Sequence, residues 1–252
     1  MGAAKYLWLL GKLIALAFIF CGGGVLAFAL ILLAPLLPGD RQKRVLHAIH
    51  HIFRGYLWML QHLGMLTLIL EGQDVLRQSR GKIVIANHPS LLDVVLLMAI
   101  IPDCQCIVKF QLWNHWFLGR LMRSAGFIRN DLDPERLVDV CQAALTQGRS
   151  LIIFPEGTRS VPGCPVHFHR GFANIATLTG APVQTVLIRC TPPILYKGEP
   201  LCRVPPSRPA LRVSAGICLD ENFYARHAPR SIASRRVMEY LEDYYRGNIS
   251  NG

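Results

Sequence analysis

The stretch Lys82-Ile83-Val84-Ile85-Ala86-Asn87-His88-Pro89-Ser90 decides the fold. Its first half is an apolar, β-branched run that reads as a buried strand, and it stops at Asn87. Pro89 and Ser90 then suit the first turn of a helix, because proline costs no hydrogen bond at that position. His88 therefore stands at a strand-to-helix mouth, the edge at which α/β sheets hold their ligands. Asp93 lies five positions further on, little more than one helical turn. At that separation its carboxylate can swing back to accept the imidazole N–H. It would then fix the tautomer and stabilise the imidazolium formed when the other nitrogen takes a proton. A general base needs that arrangement.

Working outward, short β-branched runs alternate with helical stretches beyond Gly72, the pattern of an α/β layer fold. Strands are expected over residues 67–70, 83–86, 105–108, 127–129, 151–154, 183–188 and 211–217, and helices over 91–100, 113–124, 134–146, 172–179 and 231–246. The proline-rich stretch 191–209 breaks regular structure and reads as a long loop or lid. A second strand end, Phe154-Pro155-Glu156-Gly157-Thr158-Arg159-Ser160, carries one acidic and one basic side chain on a tight turn. Two strand ends thus converge on one site.

Towards the N-terminus the composition changes. From Leu13 to Leu37 the chain carries no charge, and a helical run of that length reaches across a hydrocarbon core of about 30 Å. Gly22-Gly23-Gly24 interrupts it, so a single kinked span and a re-entrant hairpin both fit. Residues 1–40 are read as a membrane anchor, 41–65 as an amphipathic helix lying along the membrane, and 66–252 as the α/β domain. Along the second of these Leu46, Ile49, Phe53, Leu57 and Leu60 repeat at helical spacing, with His47, His50, His51 and Arg54 facing solvent or headgroups. Arg41, Lys43 and Arg44 follow the run and place the body on the cytoplasmic side of the membrane.

Hydrophobic residues make up 52% of the chain and charged ones 17%, with a net charge of +11, which together favour lipid and anionic partners. Nucleic acid is set aside, because no recognition motif accompanies the charge. The 8 cysteines form no C-x-x-C pair and no regular frame, and no metal site is expected from them.

The two blocks Asn87-His88-Pro89-Ser90-Leu91-Leu92-Asp93 and Phe154 to Ser160 resemble the first and third motifs of the glycerolipid acyltransferases typified by 1-acylglycerol-3-phosphate acyltransferase. The resemblance runs from about Leu66 to about Arg189 and takes in Phe168-His169-Arg170-Gly171-Phe172. It implies a mixed β-sheet flanked by helices on an N-terminal membrane-associated helical segment. It also implies an acyl-CoA or acyl-carrier-protein donor, a lysolipid acceptor, no cofactor and no metal. Carried onto this chain, it makes His88 the base and Asp93 its orienting carboxylate. Glu156, Gly157, Thr158 and Arg159 would bind the acceptor, with Arg159 on its phosphate and Arg129 and Arg170 adding positive charge. Two departures concern the acceptor. The second block is shortened to Gly126-Phe127-Ile128-Arg129, and Thr185 stands where the fourth motif has a second proline. The rival readings are a different lipid or secondary-metabolite acceptor, a non-catalytic lipid-binding protein, and a hydrolase acting through Ser90 or Ser160. Neither serine lies in a G-x-S-x-G elbow.

Overall fold

The computed structural model describes residues 3–17, 39–116, 118–200, 203–225 and 230–250. In chain order these give α1 (Ala3–Ala17), α2 (Arg41–His62), β1 (Thr67–Glu71), α3 (Gln73–Arg77), β2 (Ile83–Ala86), α4 (Asp93–Ile100), β3 (Cys104–Val108), α5 (Phe110–Trp113), α6 (Leu118–Ser124), β4 (Ile128–Arg129), α7 (Pro134–Thr146), β5 (Ser150–Ile153), α8 (Gly171–Thr179), β6 (Val183–Thr191), β7 (Ala210–Leu219), α9 (Glu221–Ala225) and α10 (Arg230–Ser250). The seven strands form one sheet in the order β1-β7-β6-β2-β5-β3-β4. All neighbours are parallel except β6 and β7, which run antiparallel and make the sheet mixed.

The sequence signal of β2 has a simple cause. Val84 and Ala86 belong to the core on one face of the sheet, packed with α2 and α4, and Ile83 and Ile85 to the core on the other, packed with α7, α8 and α10. Side chains alternate between faces along a strand, so a strand covered on both sides must be apolar at every position. Each Val or Ile so buried contributes roughly 1.5–3 kcal/mol. Because β2, β5, β3 and β6 are parallel, their C-terminal ends share one edge, and both motif loops leave the sheet there.

Helix α2 starts where Asp40 accepts the amides of Gln42 and Lys43 through Oδ1. Its apolar face, Val45, Leu46, Ile49 and Leu57, packs into the α4 side of the core, so this helix is part of the α/β body. His50 is accordingly half-buried: Nδ1 lies 2.8 Å from the Met98 carbonyl, and burial lowers its pKa. His47 reaches Asp103 at 3.1 Å. Most of the apolar run 13–37 lies outside the described residues, and no described helix is long and apolar enough to cross a membrane. Its first residues fall in α1, which exposes Tyr6, Leu7, Leu10, Leu13 and Ile14.

The short helices α3 and α9 are additional to the expected ones, α10 runs on to Ser250, and two expected helices begin elsewhere. The stretch 113–124 breaks into α5 and α6, and the Leu118 amide is capped by His115 Nδ1 at 3.3 Å. Helix α4 begins at Asp93 rather than Leu91, because the Asp93 side chain is drawn back to the turn before it.

Candidate active site

Asn87, the first residue beyond β2, extends the ladder with its side chain. Its amide nitrogen donates to the Ile188 carbonyl and its oxygen accepts the Ile188 N–H, both at 2.8 Å. The backbone is thereby fixed one residue before His88. Pro89 cannot continue the ladder, and the chain turns into α4. The turn brings Asp93 Oδ2 within 2.8 Å of His88 Nδ1 and 2.7 Å of the Ser90 amide, which donates to it. The spacing of five residues thus produces the contact expected from it.

Asp93 is fully buried, and its second oxygen, Oδ1, has no hydrogen-bond partner. Burial pushes its carboxyl up to about 6, although the His88 ring and the Ser90 amide favour the charged form. Above that value the group is a carboxylate and can only accept, so His88 Nδ1 carries the proton and Nε2 the free lone pair.

The second loop supports the first. Phe154 lies flat against the His88 imidazole, with centroids 4.2 Å apart and planes at 25°. Glu156 Oε1 accepts the His88 backbone N–H at 2.9 Å, and Oε2 accepts the Ser160 hydroxyl at 2.8 Å. The Ser160 amide in turn donates to the His88 carbonyl at 2.7 Å. Burial raises the Glu156 pKa, opposed by these hydrogen bonds. Between them Gly157 adopts φ 65°, where a Cβ would stand 3.2 Å from His169. Glu156 therefore braces the His88 turn with both oxygens, and the acceptor-binding role expected for it meets a carboxylate already engaged within the protein.

Residues 67–189 match the family model described as Acyltransferase. Over those residues the chain resembles the acyltransferase family. It is 32% identical over 148 residues to a 1-acyl-sn-glycerol-3-phosphate acyltransferase of Cocos nucifera, covering 56% of this chain and 46% of that one. It is 38% identical over 88 residues to a protein of the same name from Helicobacter pylori, covering 33% and 37%. The chain thus spans about half or less of the length of these relatives. The fold is shared with the 1-acyl-sn-glycerophosphate (LPA) acyltransferase PlsC of Thermotoga maritima, at a TM-score of 0.71 and 24% identity over 98% of this chain and 95% of that one.

In this chain the expected cations are dispersed. Arg159 donates to the carbonyls of Leu195 (2.8 Å) and Tyr196 (3.2 Å), tying down the 191–209 loop, whose Leu195 carbonyl also takes the Leu91 amide at 3.1 Å. Arg129 is paired with Asp131 at 2.7 Å and stacked over Phe110, on an edge strand separated from β2 by β5 and β3. Arg170 is exposed at the N-cap of α8. Thr158 lies half-buried in the bracing turn.

One cation was not picked out by the motifs. Arg189, at the end of β6, lines a cavity of about 230 Å³ together with Asn87, Pro89, Ser160 and Cys164, and its Nε is buried without a partner. Only its place next to Ile188, which the Asn87 side chain binds, reveals it, and that pairing is not written in any short motif.

Proposed function

We propose that this chain transfers a fatty acyl group from a thioester, acyl-CoA or acyl-carrier protein, to the free hydroxyl of a lysophosphatidate-type acceptor. The reading is carried by the 2.8 Å contact between His88 Nδ1 and the buried Asp93 carboxylate at the edge where the strands end. With Nδ1–H held by Asp93, Nε2 takes the hydroxyl proton as the oxygen attacks the thioester carbonyl. The carbon–sulfur bond then breaks, and the imidazolium returns the proton to the departing thiolate. The step needs no covalent enzyme intermediate.

The cavity beside Asn87, Pro89 and Ser160 suits an acceptor headgroup more than a whole lipid, since ligand pockets usually run from about 300 to 1,000 Å³. Arg189 lines it, and Arg159 keeps further guanidinium N–H groups beyond those given to the loop carbonyls. Both support a phosphate-bearing acceptor.

The test is turnover of radiolabelled acyl-CoA with lysophosphatidate by wild type and His88→Ala. General-base catalysis contributes about 10²–10⁴-fold, and the variant is expected to lose that much while remaining folded. Near-normal turnover by His88→Ala would sink the proposal.

A further inference from the structure

A second hollow lies away from the edge where the two motif loops leave the sheet. A cavity of about 700 Å³ opens between the start of α2 and α6, lined by Asp40, Arg41, Gln42, Arg120, Arg123 and Ser124. Three guanidinium groups face one carboxylate there, and that carboxylate is already engaged. Asp40 Oδ1 holds the Gln42 and Lys43 amides, and Oδ2 takes Arg149 Nη2 at 2.9 Å. These helix amides are spent, so anion binding falls to the arginine side chains.

The arginines are oriented without being consumed. Arg41 Nη2 lies 3.4 Å from Ser124 Oγ, and Arg123 Nη1 donates to the Trp113 carbonyl at 3.1 Å. Arg120 is exposed. A guanidinium has five N–H donors, so most remain for a ligand, and their planar forks match phosphate oxygens.

The surroundings specify which phosphate. Asp40 and Arg149 sit at the N-terminal edge of the parallel strands, because Arg149 precedes β5 and Phe154 follows it. Five residues at about 3.3 Å each separate the cavity from the catalytic edge by roughly 16 Å. The cavity therefore lies away from the acceptor site proposed above. It begins at residue 40, three positions after the apolar run 13–37 ends. Leu112, on α5, and Trp116, four residues before Arg120, are exposed, Trp116 by 82%. Tryptophan with arginine next to an apolar segment is the composition of a membrane–water interface.

We propose that Arg41, Arg120 and Arg123 form a headgroup site for an anionic phospholipid of the bilayer, separate from the catalytic pocket. The purified full chain is tested by co-sedimentation with vesicles of phosphatidylcholine alone and of phosphatidylcholine mixed with phosphatidylglycerol. Wild type is expected to prefer the anionic vesicles, and Arg120→Gln to lose about fivefold of that preference, with a further loss of similar size when Arg123→Gln is added. Affinity for neutral vesicles stays unchanged. Arg120→Gln alone alters an exposed side chain and keeps the test informative if the double variant misfolds. A control pair, Arg77→Gln with Arg235→Gln, makes the same charge change elsewhere and is expected to retain the preference.

An equal loss in the control pair overturns the proposal, as does an unchanged preference in Arg120→Gln. It also fails if calorimetry finds inorganic phosphate bound at this site while the variants keep their vesicle preference. Slower transfer from acyl-carrier protein with intact vesicle binding would make the patch a carrier-docking surface instead. Acyl transfer to a micellar acceptor is assayed in parallel, so loss of the headgroup site and loss of catalysis are read separately.

Discussion

Asp93 binds with one oxygen and strands the other. Oδ2 serves the His88 ring and the Ser90 amide, while Oδ1 is buried without a partner. Burial raises its pKa from 3.8 to about 6, so the folded protein binds the proton more tightly than the unfolded chain does. Stability linked to this group is therefore full at low pH and falls as pH rises through that window, a cost of about 3 kcal/mol above it. The variant Asp93→Asn is expected to be more stable than wild type at pH 8, by about 1–3 kcal/mol in urea titration, with the difference shrinking towards pH 4. Its activity should nonetheless fall about 10²–10⁴-fold, because an amide N–H facing Nδ1 drives the ring proton to Nε2. Equal urea midpoints at both pH values would refute this account of the charge. For wild type, kcat/KM is expected to decline as pH drops through about 6, with an apparent pKa belonging to the His88–Asp93 pair. A rate flat from pH 5 to 8 would count against it.

At the level of elements, the His88 turn depends on how β2 meets β6. Tyr245, fully buried on α10, inserts its hydroxyl between these strands, donating to the Ile85 carbonyl at 2.7 Å and accepting the Val186 amide at 3.1 Å. Two residues later Asn87 repeats the service with its side chain. Tyr245→Phe leaves the Val186 amide and the Ile85 carbonyl without this partner, and should cost about 1–3 kcal/mol in urea unfolding. A change below a few tenths would show that the strands close without it. The neighbouring departure from the family pattern also has a structural reason. Thr185 stands at the β6–β7 irregularity, where its hydroxyl donates to the Ile217 carbonyl at 3.0 Å, a contact proline could not make. Gly216 opposite it is required by space, since a Cβ there would lie 2.4 Å from Thr185 Oγ1.

Across the whole molecule, helix α1 is joined by buried charge to the sheet edge that carries His88. Lys12 donates to the Arg203 carbonyl at 2.9 Å and lies 4.0 Å from Glu199, whose side chain is 1% exposed. Glu199 also binds the Leu195 amide, and Arg159 holds the Leu195 carbonyl, so α1, the 191–209 loop and the Phe154–Ser160 turn form one connected structure. Lys12→Met removes the helix partner of a buried carboxylate, which keeps Arg203 at 3.8 Å, and should cost about 1–3 kcal/mol. Thermal unfolding measures it, and an unshifted midpoint would mean that the ion pair is not holding α1.

The sequence by itself determined what is local. The strands were legible because a strand covered on both faces must be apolar throughout, and the His88–Asp93 pair because five residues across one turn leave little conformational choice. Tertiary structure alone decided the rest. Glu156 meets the His88 amide 68 positions away, Arg159 meets a loop 36 positions away, and Arg189 lines a cavity beside Asn87 through the β2–β6 pairing. Such partners depend on strand order, which is set by how the apolar faces pack together, and no short motif encodes that.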